Sequence, residues 1–197
     1  MSIDGYSICR KDWNRNGGGI ISYVRQGLRF RLLTADDVPS LDFCESEILS
    51  LLFANIPLII VGVYHPFWND ATRNGNCIAC ISDLIDYAMV STTFDPTKLQ
   101  VALCGDFNGL HLHFDEISQA TQLKPVVSSP TRGPNILDQI FVNFSQKCAA
   151  EVLPPFGKSD HSVVLWNVTT QTPEALCARS LRGSFPKAVD IISPNGL

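Results

Sequence analysis

Charged side chains are scarce in this chain, 17% of 197 residues, and neither sign dominates: 15 Lys and Arg stand against 19 Asp and Glu, a net charge of −4. A domain that holds nucleic acid by attraction over its whole surface usually shows as basic, so the charge argues against that mode. A local patch stays open, from Arg10, Lys11 and Arg15 near the start or Arg25, Arg29 and Arg31 after a glycine run, although solvated surface positions explain these residues equally well. Long apolar runs are missing too. The longest, residues 56–63, is interrupted by Pro57 and falls far short of the roughly 20 residues that cross a bilayer, so no membrane span is expected. The opening residues lack the basic region and apolar block of a secretory signal, which predicts an intracellular setting, the nucleus included.

Cysteine is present but not organised. Seven residues, Cys9, Cys44, Cys77, Cys80, Cys104, Cys148 and Cys177, are an odd number in mostly apolar surroundings, unlike a disulfide framework, and reduced thiols are expected. Cys77-x-x-Cys80 has no second Cys/His pair at ligand spacing and sits in a helical pattern, so core packing is its expected role. The sequons at Asn143 and Asn167 carry no weight without a secretory route. Gly17-Gly18-Gly19 lacks the Gly-Lys-Ser/Thr ending of a P-loop.

What the chain does have is apolar material, 45% of its residues, enough for one core. A strand is expected at residues 20–24, others at 30–33 and 47–53, and a strongly apolar one at 58–64, stopped by Pro66. Cys77, Ile78, Ile81, Leu84, Ile85, Ala88 and Met89 recur at three- and four-residue spacing, the stripe of an amphipathic helix. With an apolar strand at 99–104 this makes a βαβ unit whose strands run parallel. Tyr64 and Asp106 then lie at one sheet edge, just past the carboxyl ends of their strands. Strands at 139–144 and 162–168 have their polar residues first, Asp138 in one and Ser159-Asp160-His161 in the other. If both run antiparallel to the βαβ pair, these polar groups converge with Asp106. From residue 169 to 197 periodicity fades, with a short helix expected at 174–181; we read 1–168 as one domain and 169–197 as a tail or linker.

Such a convergence would suit phosphodiester hydrolysis, which needs an electrophile for anionic oxygens, a group to orient water and help for the leaving oxygen. Asp106 and Asp160 offer oxygen ligands to a hard divalent ion or act on water, and Asn108 can donate to a phosphate oxygen. His161, oriented by Asp138, can supply a proton or a positive charge. A Ser-His-Asp relay within Ser159-Asp160-His161 fails, because neighbours on a strand face opposite ways.

The ordered set Tyr64-x-Pro66, Gly105-Asp106-Phe107-Asn108, Thr131, Leu137-Asp138 and Ser159-Asp160-His161 resembles the exonuclease–endonuclease–phosphatase superfamily over residues 6–168. Gly18-Gly19-Ile20-Ile21 and the motif spacing look most like the endonuclease domain of non-LTR retrotransposon (reverse transcriptase) proteins, related to apurinic/apyrimidinic endonucleases. The resemblance implies a four-layer α/β sandwich, two mixed sheets flanked by helices, that cuts DNA with Mg²⁺ or Mn²⁺ and acts as a monomer. It also implies roles: Asp106 orients and deprotonates water, Asn108 binds the scissile phosphate, Asp138 orients His161, and Tyr64 contacts phosphate. Asp160 would support metal and nucleophile, with Thr131 and Ser159 as supporting hydrogen-bond groups.

The superfamily pattern also has an Asn strand and a Glu strand, the Glu being its principal metal ligand, upstream of the Gly-Tyr that is Gly5-Tyr6 here. The expectation is therefore a domain lacking its first strands. Glu45 and Glu47 align with a strand interior rather than with the metal Glu. Two other outcomes stay open: an inactive remnant that keeps the fold, and a phosphatase of the same superfamily.

Overall fold

A computed structural model describes residues 2–14, 17–67, 70–144 and 148–168. Arg15, the expected helix at 174–181 and the rest of 169–197 lie outside the described residues.

Residues 58–64 are apolar at nearly every position because the strand they form, β5, is covered on both faces. Ile59, Val61 and Val63 face one core, and Ile60 and Tyr64 face another. Around it the chain runs β1 (Tyr6–Asp12), β2 (Gly19–Arg25), β3 (Phe30–Leu33), β4 (Glu47–Phe53), β5 (Leu58–Tyr64), α1 (Ala71–Ser91), β6 (Gln100–Asp106), α2 (Phe114–Thr121), β7 (Lys124–Pro125), β8 (Asp138–Val142), β9 (Cys148–Leu153) and β10 (Val163–Val168). A six-stranded mixed sheet has the order β3-β4-β5-β6-β8-β7. Within it β5 and β6 are parallel, as the strand–helix–strand pattern requires, and β8 is antiparallel to β6.

The stripe on α1, including Cys77, Ile81, Leu84 and Ala88, packs on one face of this sheet. Asp70 starts the helix: its side chain accepts the Arg73 amide at 2.9 Å, satisfying one orphan donor of the first turn. Phe107, Phe114 and Phe141 close the end of this core edge to face, with centroids 5.3 to 5.6 Å apart. The opposite face meets two antiparallel pairs, β1-β2 and β9-β10, through Cys9, Ile20 and Val24 and the partly buried Val164 and Trp166. An α/β sandwich is therefore observed as expected, but among the described residues only the large sheet is mixed: helices cover one side of it, and two antiparallel strand pairs stand on the other where a second mixed sheet was expected.

One expectation needs refinement: β10 does not join the sheet of β5 and β6 but pairs with β9. Asn143, read in the sequence only as a sequon, brackets the start of β6, accepting from the Val101 amide and donating to the Leu99 carbonyl, each at 2.8 Å. No described helix is long and apolar enough to cross a membrane.

Cys9, Cys44, Cys77, Cys80 and Cys104 are free thiols. Cys77 and Cys80 are buried on the packed face of α1, the core role expected of them. Cys44 differs: hydrogen bonds from Cys77 and Ser46 favour its thiolate and bring its pKa down to about 6, against the effect of burial. Burial holds Cys80 and Cys104 up to about 12. Of these five thiols, Cys44 is therefore expected to take iodoacetamide first at pH 7, with a rate that falls once the pH drops below about 6. Peptide mass spectrometry after short exposures reads this; equal labelling of Cys104 would contradict it.

Candidate active site

Gly105 makes the first contribution by being small. Its φ is +152, and a Cβ there would run into the Val63 carbonyl of β5, so only glycine lets β6 stay paired up to Asp106. The register then sets one row across four strands: Glu47 opposite Tyr64, Tyr64 opposite Asp106, and Asp106 opposite Asp138. Directly opposed residues share a face, and this one is the face turned away from α1.

His161 joins the row from outside the sheet. Ser162, next to it, donates its amide to the Thr131 carbonyl at 2.7 Å, and the His161 amide donates to Ser159 Oγ at 3.1 Å. Its Nδ1 lies 2.9 Å from Asp138 Oδ2. Thr131, almost fully buried, accepts from the Leu137 and Asp138 amides, each at 3.0 Å, and so fixes the start of β8. Asp106, Asp138 and His161 thus bring a ligand atom each within 4.8 Å of one another.

The electrostatics follow from this crowding. Asp106 is 5% exposed, and burial followed by the charge of Asp138 raises its pKa to about 6, with His161 and Asn108 opposing. The hydrogen bond to Asp138 raises the His161 pKa and favours imidazolium, against burial. Burial and the charge of Asp106 raise the Tyr64 phenol, keeping it a neutral hydrogen-bond donor.

Asn108 occupies the left-handed region at φ +40, a conformation more open to Asn than to most residues. Its amide donates to Asp106 Oδ1 at 3.2 Å, its side chain donates to the His65 carbonyl at 2.9 Å, and its own carbonyl contacts His111 Nδ1. Tyr64, Asp106 and Asn108 line a cleft of about 520 Å³ together with Phe67, Arg132 and Asn135.

Asp160 is placed apart. It is an immediate neighbour of His161 and diverges from it: its side chain is 60% exposed and ion-paired with Arg132. Glu47 lies in the row but is held by Lys11 at 3.4 Å, and Glu45 by Arg73 at 3.2 Å. The basic residues of the opening segments are similarly engaged, Arg10 with Asp12 and Arg31 with Asp37.

Sequence reasoning missed His65. It is fully buried, its amide donates to the Asp106 carbonyl at 2.9 Å, and its carbonyl receives Asn108. The ring is set between Ser46 Oγ, 2.7 Å from Nδ1, and the Asn74 side chain of α1. The only signal was a His inside Tyr64-x-Pro66, where the motif leaves the residue open. Burial pushes its pKa down to about 4 from 6.5. Because the unfolded chain binds the proton more tightly, this group makes stability fall as the pH drops from about 6.5 through about 4, by roughly 3 kcal/mol in all. Urea midpoints across that range should show it, with a shallower fall for His65→Asn; parallel curves for the two proteins would remove the claim.

No protein-family model matches this chain, and no curated protein matches it. Among solved structures, an AP endonuclease from Archaeoglobus fulgidus is similar at 13% identity over 80% of this chain and 82% of that one, with a TM-score of 0.41. A likeness of that size carries no functional argument, and the site has to be read from its own geometry.

Proposed function

We propose that this chain is a member of the exonuclease–endonuclease–phosphatase superfamily, of the retrotransposon endonuclease type, and hydrolyses DNA phosphodiesters with a divalent cation. The observation that carries the reading is the meeting of Asp106, Asp138 and His161 within 4.8 Å beside a cleft lined by Asn108 and Tyr64. These are the groups, in the order, that the superfamily motif contains.

The donor set fits a hard cation. Mg²⁺ commonly takes one or two carboxylates and keeps several waters, and the buried Asp106 stands beside the partly buried Asp138, whose charge raises the Asp106 pKa. Asp106 and an Asp138 oxygen would hold it; Asp160 would take part only after leaving Arg132. When bound, the cation would neutralise phosphate oxygens and acidify water.

The residues themselves do the rest. Ionised Asp106 accepts a proton from the water it orients. Asp138 holds the ring of His161 through Nδ1, keeping a positive charge for the phosphate and a proton for the leaving oxygen. Asn108 and Tyr64 donate to phosphate oxygens without adding negative charge. Thr131 and Ser159 act behind them, through the backbone amides they accept.

Nicking of supercoiled plasmid with Mg²⁺, for the unchanged chain and for Asp106→Ala and His161→Ala, tests the reading. Equal nicking by all three, or nicking undiminished by a chelator, would sink it. A second reading, a fold that binds DNA without cutting, is favoured by one observation: Asp138 already serves His161, leaving Asp106 as the less committed carboxylate of the pair. Binding with no metal-dependent nicking would select it.

A further inference from the structure

Three of the thiols come from two distant stretches of the chain and meet in the core beneath α1. Cys77 and Cys80 stand about one turn apart on the packed face of that helix, 1% and 3% exposed. Cys44 reaches them from the end of a 3₁₀ turn, Pro39–Phe43, just ahead of β4, and packs half-buried against the same core.

The two sulfurs of α1 have different partners. Cys80 Sγ donates to the Ser40 carbonyl at 3.0 Å and so fastens the turn to the helix. The Cys77 thiol donates to the Cys44 sulfur, and Ser46 contacts both of those sulfurs. A hydrogen bond from one sulfur to another makes the two direct neighbours, the approach that a disulfide needs.

Exposure gives the pair separate tasks. Cys77 is sealed from solvent, whereas Cys44, between the exposed Phe43 and Glu45, is open to a small oxidant. The hydrogen bond from Cys77 keeps Cys44 in the thiolate form, the one that attacks. In return that bond holds the Cys77 proton in place, with burial and the charge of Cys44 adding to it. Oxidation of Cys44 would remove the charge and release Cys77 to react.

We propose that Cys44 and Cys77 are a peroxide-sensitive pair, in which Cys44 is oxidised first and Cys77 closes a disulfide onto it, locking the turn ahead of β4 to α1. The Cys44 sulfur attacks one oxygen of hydrogen peroxide; the O–O bond breaks, a sulfenic acid forms, and the departing hydroxide takes a proton from solvent and leaves as water. The Cys77 sulfur then attacks the Cys44 sulfur; the S–O bond breaks as the S–S bond forms, and hydroxide leaves with the Cys77 proton as a second water. Two electrons pass from the two sulfurs to one peroxide. Cys80 stays reduced, its S–H committed to Ser40. None of these groups lines the cleft at Asp106, so oxidation and nicking can succeed or fail separately.

The folded chain is treated with hydrogen peroxide at pH 7, the reaction is stopped with catalase, the remaining thiols are alkylated in urea, and the peptides are sequenced by mass spectrometry. A Cys44–Cys77 linked peptide that a reductant removes is expected, with Cys80 and Cys104 alkylated. Cys77→Ala should abolish the link and leave Cys44 as a sulfenic acid that dimedone traps, and Cys80→Ala should still link. Because Cys77 is buried, circular dichroism checks the fold of its variant, and the linked peptide from the unchanged chain and from Cys80→Ala identifies the pair without it. No link, a link from Cys44 to Cys80 in place of Cys77, the same link formed as fast in urea, or a folded Cys77→Ala chain whose Cys44 takes no dimedone overturns the proposal.

Discussion

Asp106→Ala is expected to lower Mg²⁺-dependent nicking by about 10²- to 10⁴-fold, the range of a positioned general base, with little change in stability. The two readouts separate because the carboxylate is costly to the fold. It is buried, and its pKa is raised by burial and by Asp138, so ionisation there opposes folding at neutral pH. Removing it loses the 3.2 Å hydrogen bond from the Asn108 amide and the attractions of the Asn108 side chain and His161, and against these it ends the burial of a charge and the repulsion with Asp138. A urea midpoint near that of the unchanged chain, beside nicking that has all but vanished, is the predicted combination. A variant that nicks normally would show that the row of carboxylates is not the site. A variant that fails to fold would show that Asp106 is held for structure.

The larger effect on stability should come from its neighbour. Gly105→Ala places a methyl group where the Val63 carbonyl already stands, one pair from the carboxyl end of the parallel pairing of β5 and β6, and demands a backbone conformation that L-residues rarely adopt. The conformational part alone is worth about 1–3 kcal/mol, and the overlap can be relieved only by separating two central strands. A total loss of about 3 kcal/mol or more is expected, a large share of the stability of a domain this size. Gly27→Ala is the comparison: its φ is +96, but nothing lies within 4 Å of the added carbon, so about 1 kcal/mol is expected. Urea unfolding followed by circular dichroism reads both, and equal midpoints for the two variants would remove the argument from the Val63 contact.

The central part of the fold is legible in the sequence because each signal there is strong. An uninterrupted apolar strand, a long stripe at three- and four-residue spacing and a second apolar strand leave one parallel arrangement, and that arrangement puts Tyr64 next to Asp106. Weak signals are the ones that fail. β1, with the sequence YSICRKD, buries only Cys9 and looks polar, and α2 is eight residues long, too short to show a period. β9 is decided by tertiary pairing with β10, which no local pattern reveals. At the site, Asp138 and His161 are legible through their motif, whereas Asp160 is drawn away by Arg132, a partner 28 positions distant that the motif does not contain. His65 is invisible for a different reason: it contributes through its backbone, and backbone groups carry no residue-type signature.

The row that joins Glu47, Tyr64, Asp106 and Asp138 also makes strand alignment and chemistry a single property of this chain. Side chains alternate with a period of two, so sliding β8 by one residue would present Gln139 in place of Asp138 and turn the carboxylate into the apolar layer beneath α1. Gln139 is the latch against that slip: it is 2% exposed, accepts from the Val126 and Val127 amides and donates to the Val127 carbonyl. A misaligned sheet would therefore lose its latch and its acid together, and molecules that carry an assembled site are, by that fact, correctly threaded.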